Sequence, residues 1–369
     1  MKRQVLVTVA SALVASASLW AHHSMTAVYN DATPVTINGT VTKVEWANPH
    51  VWIYVDAAGS GIPVKWEVEL ASRTELRRSG WTSESLHAGD AVTIAASRAR
   101  DGSHRVHGKT FTLANGKKLS DASMAARPAK QNTGKVVPRG VDGHPLLGYG
   151  TAGYWAYPSK PALYEASAGN IAMNSEGILA NLADAGKVAP FQPWAKALYE
   201  YRQRTLLKDD PMAACIPPGG PRQFQAPYGV QVLQDPNRPR VFVLSRGGNR
   251  NWRNIDMDGR ALPGGDDVTP AFFGYSVGKW EGDTLVIQTV GLLERFWVSN
   301  GGVPHTESAR LTERLSRPDY DTLRYEVTVD DPGAYTRTWT GGWDLQWVAG
   351  DDADEYFCDD NNRELELEK

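Results

Sequence analysis

Histidines near the start of the chain could bind a metal ion. If a signal peptide is cleaved after Ala21, His22 becomes the N-terminus and offers an α-amine and an imidazole from one residue. His50, with His23 as a spare ligand, would supply the further nitrogen of the tetragonal set that copper(II) favours. Alternatively, His22 and His23 form a polar unstructured start and His50 is a surface loop residue. Copper is the one cofactor that the sequence suggests.

A second group of residues could perform general acid–base catalysis. His305 and Glu307 are two positions apart at the entrance of a predicted strand, and Asp330 begins an Asp-Asp-Pro turn. A histidine and a carboxylate within reach of a substrate can exchange protons with it, as in a lyase, isomerase or hydrolase. The same residues can instead be a turn histidine, a surface ion-pair partner and a turn-forming aspartate. The sequence leaves open whether the protein is an enzyme.

Aromatic side chains indicate a third role, the binding of a small molecule. The chain has 13 tryptophans, and tryptophan often lines ligand cavities because it combines a large apolar surface with one N–H donor. An arginine that follows two glycines could add a contact to an anionic group. Packing of the same rings in a solid core is the alternative. The predicted ligand contacts are Trp280, Tyr325, Trp339, Trp343, Trp347 and Arg250.

The beginning of the chain predicts export. Residues 1–21 combine a cationic start, an apolar run and small residues, the pattern of a secretory signal peptide that is cleaved after Ala17 or Ala21. The apolar run is too short for a membrane span, and none follows it. The net charge of −3 gives no indication of a nucleic-acid partner. We therefore expect a periplasmic or secreted protein.

The two cysteines fit such a compartment. Cys215 and Cys358 are the only ones in the chain, and in an oxidising environment one disulfide is the expected state. Closing so long a loop stabilises the fold by roughly 5 kcal/mol in the chain-entropy model. Two buried thiols are the alternative.

The elements that position these residues are mainly strands. In the first half, apolar alternation predicts three strands, a short helix and two more strands, with a bulge in the first strand near Lys43. This is the element order of a small five-stranded barrel of the oligonucleotide/oligosaccharide-binding type. The predicted strands are 35–46, 50–56, 64–70, 91–96 and 105–113, and the helix is 71–79.

The second half is organised around a hairpin at 275–292, where Gly282 can take the left-handed conformation of a tight turn. Roughly eight strands at this spacing predict an antiparallel up-and-down barrel, similar to a lipocalin. A helix at 191–207, with Trp194, Leu198 and Tyr201 on its apolar face, precedes them. The predicted strands are 228–233, 240–245, 251–257, 272–279, 284–290, 307–317, 322–330 and 335–348.

The predicted organisation is therefore two β-domains in sequence. It consists of a signal peptide at 1–21, a small barrel at 22–115, a linker at 116–160, a helical and loop entry segment at 161–226, a large barrel at 227–350 and an acidic tail at 351–369.

Two groups of specific motifs give the chain a family resemblance. The N-terminal group is Ala-His-His-Ser at 21–24, Trp-x-Asn-Pro-His at 46–50, Trp-x-Val-Glu-Leu at 66–70 and Gly-Asp-x-Val at 89–92. The C-terminal group is Pro-Pro-Gly-Gly-Pro-Arg at 217–222, Lys-Trp-Glu-Gly-Asp-Thr-Leu-Val at 279–286, Pro-His-Thr-Glu at 304–307, Asp-Asp-Pro at 330–332 and Glu-Tyr-Phe-Cys at 355–358. With these motifs the chain resembles a family of exported bacterial proteins of unknown function. The resemblance implies export and a two-domain β architecture, and it implies no activity.

These observations favour an exported protein that binds a small, largely apolar molecule in the large barrel. The small barrel would be an accessory module, with a metal site in the copper hypothesis. The acid–base hypothesis and the copper hypothesis remain the alternatives.

Overall fold

The computed structural model describes residues 24–59, 61–121, 130, 132, 134–148, 152–156, 158–225, 229–247, 251–264, 268–350 and 356–358. The fold is mainly β, with a six-stranded sheet followed by a closed nine-stranded barrel and a few short helices, which confirms the predicted fold class. In the part of the chain that is described, no helix is both long and apolar enough to cross a membrane.

The first domain is a sheet that closes on itself. Its strand order is β3-β2-β1-β4-β5-β6, and a parallel pairing of β3 with β5 closes the ring. The register of β1 against β2 shifts between Val41 and Lys43, so the predicted bulge is confirmed. The strands are β1 (Tyr29–Glu45), β2 (Trp52–Ala57), β3 (Val64–Glu69), β4 (Ala91–Ala99), β5 (Arg105–Leu113) and β6 (Lys118–Ser120), and the helices are α1 (Met25–Val28) and α2 (Arg73–Arg78).

The second domain is a barrel in which every strand has two neighbours. The order around the barrel is β10-β11-β12-β13-β14-β15-β7-β8-β9. Its strands are β7 (Gly153–Ala156), β8 (Val230–Gln234), β9 (Arg240–Ser245), β10 (Trp252–Asp256), β11 (Tyr275–Glu281), β12 (Thr284–Val290), β13 (Arg310–Asp319), β14 (Thr322–Asp330) and β15 (Trp339–Ala349).

One pairing departs from the predicted up-and-down pattern. The β11–β12 hairpin turns at Gly282, whose φ is 61°, as expected. Strands β10 and β11, however, are parallel. Parallel neighbours require a long connection, and residues 257–274 separate the two strands in the sequence.

The barrel is closed by a strand from the segment that we expected to be a linker. Gly153–Ala156 pairs with β15 on one side and with β8 on the other. Trp155 anchors it, because its fully buried ring donates a hydrogen bond from Nε1 to the Leu147 carbonyl oxygen at 2.5 Å. The large barrel therefore begins well before residue 227.

The helix before the barrel is confirmed, but its buried face differs from the predicted one. The described helices here are α3 (Ala185–Val188) and α4 (Pro193–Arg204). Trp194 and Tyr201 are 47% and 46% exposed, and α4 buries Tyr199 and Gln203 instead. The Gln203 amide bonds backbone groups of neighbouring loops, so a polar side chain fixes the helix orientation.

A short 3₁₀ segment lies across the interior of the large barrel. All of Gly220–Gln225, which we call the plug, is buried. The Phe224 ring lies 4.5 Å from the ring of Tyr325, and the Gln223 amide donates to the Val243 carbonyl oxygen at 3.0 Å. Upstream of the plug, Cys215 forms the predicted disulfide with Cys358, with 5.8 Å between the Cα atoms.

The two domains are in contact through stacked cationic and aromatic side chains. Tyr154, on the outer face of β7, is fully buried. The Arg78 guanidinium of α2 lies 4.6 Å from the centre of its ring, and that of Arg246 lies 3.7 Å away. The strand that closes the large barrel therefore also carries the contact with the small one.

Candidate functional site

The interior of the large barrel contains a buried polar network. Arg253 and Glu313 form an ion pair in which both side chains are almost completely buried. The Tyr325 hydroxyl donates to Glu313 Oε1 at 2.8 Å, and the Arg253 guanidinium donates to Thr289 Oγ1 at 2.6 Å and to Ser276 Oγ at 3.0 Å. These residues come from five consecutive strands of the barrel, β10 to β14. The expected wholly apolar lining is therefore wrong along this wall.

The surroundings shift the pKa values of two members of this network. Burial acts to lower the pKa of Arg253, but the charge and hydrogen bonds of Glu313 outweigh it and the pKa is raised. Burial, reinforced by the charge of Glu313, raises the pKa of Tyr325 well above its usual value. The Arg253 guanidinium is therefore charged and the Tyr325 phenol neutral at physiological pH. Such a network orients donors and acceptors and does not exchange protons readily.

Three tryptophans on the last strand also face the interior. Trp339, Trp343 and Trp347 are only 2%, 3% and 4% exposed. Within the described residues, none of their three indole N–H groups has a hydrogen-bond partner. An unpaired buried donor costs about 1–3 kcal/mol, and native proteins leave few of them. Each of these donors therefore calls for an acceptor that the described side chains do not provide.

The three indoles lie at different levels of the barrel. Trp339 is edge-on to Tyr335, with 5.3 Å between ring centres, whereas Trp347 is edge-on to Trp155 at 4.9 Å. Trp343 stacks on Tyr325 at 5.2 Å. Trp343 is thus the one indole joined to the polar network, and we take this middle level as the candidate site.

The remaining predicted ligand contacts lie elsewhere. Trp280 is partly buried against the barrel core, and one face of its ring is covered by the stacked ring of His144 at 4.5 Å. Arg250 lies outside the described residues. Of the six predicted ligand contacts, the middle level of the barrel therefore brings together Tyr325 and Trp343.

The residues of the acid–base hypothesis are not joined. His305 is buried, while Glu307 and Asp330 are exposed. Within the described part of the chain, His305 makes no hydrogen bond or ion pair with either carboxylate. The buried carboxylate near it is Asp331, which accepts hydrogen bonds from the backbone and hydroxyl of Thr306 at 2.7 and 2.6 Å. Asp331 thus stabilises the backbone at Thr306 through these two hydrogen bonds.

Of the three histidines in the copper hypothesis, only His50 lies within the described residues. His22 and His23 lie outside the described residues, as does the predicted signal peptide. His50 Nδ1 is 3.1 Å from the Leu70 carbonyl oxygen and 3.2 Å from a carboxylate oxygen of Glu69. Because a carbonyl oxygen only accepts, Nδ1 carries the proton and Nε2 the lone pair that a metal needs. Among the described residues no group of three or more His, Cys, Asp or Glu side chains could hold a metal ion, so copper stays a prediction.

The small barrel carries a groove that the sequence did not predict. Its volume is about 450 Å³, and it lies over strands β1 to β3 beside the loop that leads into β5. The side chains that matter for its chemistry are Tyr54, Asp56, Lys65, Trp66, Glu67 and Arg105. Alternation along β2 and β3 does show that Tyr54 and Glu67 face away from the core, but not that a loop completes a concave surface over them.

Comparison with known proteins reaches only the first part of the chain. No curated protein and no solved structure matches it. Residues 9–109, less than a third of the chain, match the model of a family of unknown function (DUF6152). The matched segment contains β1 to β4 and the start of β5, and its family has no described activity that could be compared with the large barrel.

Proposed function

We propose that the protein binds a small molecule inside the large barrel, beside Trp343 and the Arg253–Glu313–Tyr325 network. The observation that carries this proposal is the buried Trp343 N–H, which has no acceptor among the described residues although its ring stacks on a hydrogen-bonded tyrosine. A ligand oxygen would satisfy this donor. A closed barrel of this size is wide enough to hold one small ligand.

The neighbouring side chains define the ligand chemistry. Aromatic and aliphatic side chains form most of the lining, including Leu285, Ile287 and Val327, which favours a flat apolar body. The unpaired indole adds one requirement, a carbonyl or ether oxygen that accepts a hydrogen bond. The proposed ligand is therefore largely apolar, with an acceptor at one edge.

The plug shares the interior with this ligand. Phe224 is 1% exposed and its ring contacts Tyr325, next to the proposed site. We expect the Phe224 side chain to move aside when a ligand binds, so a smaller residue at this position should enlarge the site.

The exported location belongs to the same proposal. The signal pattern at 1–21 and the Cys215–Cys358 disulfide both suit an oxidising compartment. No observation favours the acid–base hypothesis, because His305 and its two proposed partners are not joined.

The test uses two probes of similar shape, coumarin and naphthalene, of which only coumarin has a carbonyl acceptor. Titration of the full chain, followed by calorimetry, should show that coumarin binds roughly tenfold more tightly, as one buried hydrogen bond allows. Trp343→Phe should abolish this preference, because phenylalanine fills the position without a donor. Trp194→Phe, on the exposed face of α4, is the matched control and should retain it.

Two outcomes would contradict the proposal. One is that neither probe binds to the wild type or to Phe224→Ala, in which the interior is larger. The other is a preference for coumarin that survives in Trp343→Phe.

A further inference from the structure

The groove on the small barrel has the composition of a binding site. It measures about 450 Å³, within the range of about 300–1,000 Å³ that is usual for small-molecule sites. It lies on a different domain from Trp343. The proposal that follows is therefore independent of the one for the large barrel.

Aromatic residues contribute to the lining of the groove. Trp66 is one of them, although its side chain is only 7% exposed and packs in the core of the small barrel. The exposed ring of His104 meets it edge-on, with 4.9 Å between ring centres. Tyr54, half-buried on the neighbouring strand β2, provides a second aromatic surface beside the Lys43 ammonium, 5.6 Å from its ring centre.

Charged residues line the groove in opposite pairs. Asp56 and Lys65 are direct neighbours on β2 and β3, and Glu67 and Arg105 are direct neighbours on β3 and β5. Lys43 is compensated by Glu45 on its own strand. The groove therefore offers strong donors and strong acceptors side by side, with little net charge.

One donor among these polar groups is buried without a hydrogen-bond partner. Arg105 Nε lies 4.0 Å from Glu67 Oε2, too far for a hydrogen bond. In the described part of the chain, Arg105 Nε has no other partner, although the atom is buried. Arg105 is one of the residues that line the groove, so an unsatisfied donor belongs to its wall.

We propose that this groove binds a neutral oligosaccharide. A sugar hydroxyl both donates and accepts, so it can bridge a carboxylate and a cation that stand next to each other. The faces of sugar rings are apolar and pack on aromatic rings. An anionic polymer would instead require an excess of cations.

The experiment is calorimetric titration of the full chain with neutral tetrasaccharides: maltotetraose, cellotetraose and N-acetylchitotetraose. At least one should bind saturably, whereas tetragalacturonate and an eight-residue oligothymidylate should not. Glu67→Gln should weaken the binding of that sugar about tenfold, because charge-assisted hydrogen bonds are roughly twice as strong as neutral ones. Glu84→Gln, the same exchange at an exposed glutamate outside the groove, is the matched control and should leave the affinity unchanged.

A second variant separates stacking from hydrogen bonding. Tyr54→Ala should weaken the binding at least as much as Glu67→Gln, while Tyr275→Ala on the large barrel should have no effect. The proposal is overturned if no neutral tetrasaccharide binds, if only the anionic probes bind, or if the affinity is the same in Glu67→Gln and Tyr54→Ala as in the wild type.

Discussion

The large barrel buries a charged pair in its interior, whereas the charged pair of the small barrel's groove lies on the outer face. On β3 and β5 of the small barrel, Val68 and Val106 face the core, while Glu67 and Arg105 face outward. In the large barrel the residues that pair across strands, Arg253 and Glu313, face inward among aliphatic side chains.

Strand number accounts for the difference. The closed ring of the small barrel has five strands and that of the large barrel nine, and the diameter grows with the number of strands. A narrow barrel is filled by its own apolar side chains, so polar recognition moves to its outer face. The wide barrel accommodates a plug, a polar network and a tryptophan stripe.

The largest expected effect comes from breaking the interior charge pair. Glu313→Leu leaves the Arg253 guanidinium buried without its carboxylate, which should lower the free energy of unfolding by about 3–5 kcal/mol. The corresponding change in the groove, Glu67→Leu, should cost no more than about 1 kcal/mol, because that glutamate is 48% exposed. Urea denaturation of both variants measures the contrast.

The double variant Arg253→Met/Glu313→Leu provides the control for this prediction. Replacement of both charges by apolar residues of similar size should recover most of the loss, since no unpaired charge remains. Equal losses of unfolding free energy in Glu313→Leu and Glu67→Leu would contradict the comparison, because the buried glutamate would then contribute no more to stability than the exposed one.

A smaller effect is expected from His305, in the second domain. Burial lowers the pKa of His305 below its usual value of 6.5, so the unfolded chain takes up a proton at this residue before the folded protein does. The contribution of neutral His305 to the free energy of unfolding should therefore be complete above pH 6.5. It should fall as the pH drops below 6.5, by at most about 1.4 kcal/mol per pH unit.

His305→Phe tests this dependence. Phenylalanine keeps the contact with the Phe296 ring, 4.6 Å away, and cannot be protonated. The difference in unfolding free energy between variant and wild type should shift in favour of the variant by up to about 2 kcal/mol between pH 6.5 and pH 5. An unchanged difference across this range would show that His305 does not carry the pH dependence.

Much of the second barrel could be predicted from the sequence, because the alternation of apolar and polar residues along a strand is visible within a few neighbouring positions. The strands Thr284–Val290 and Thr322–Asp330 have the predicted bounds, and the Gly282 turn and the Cys215–Cys358 pair are also confirmed. The closing strand Gly153–Ala156 could not be predicted in the same way, because four residues are too few to show a period.

The candidate sites were harder to predict, because they depend on register and closure. Arg253 and Glu313 meet across β11 and β12, and nothing local in either strand indicates the other. The apolar face assigned to α4 was wrong at Trp194 because its indole N–H bonds the Gly333 carbonyl oxygen at the surface, 2.8 Å away. Trp343 is predicted as a ligand contact from the sequence. Only the structure shows that its indole N–H has no hydrogen-bond acceptor among the described residues.

The smallest expected effect separates a satisfied indole from an unsatisfied one in the same barrel. Trp155→Phe removes the donor to the Leu147 carbonyl oxygen and leaves that buried acceptor unpaired. Trp343→Phe removes a donor that has no acceptor among the described residues. The loss of ring size is the same in both, so Trp155→Phe should lower the free energy of unfolding by about 1 kcal/mol more. Urea denaturation of the ligand-free protein measures this difference. If Trp343→Phe were the more costly exchange, its N–H would already be satisfied within the protein, and the strongest argument for a ligand at the middle of the barrel would be lost.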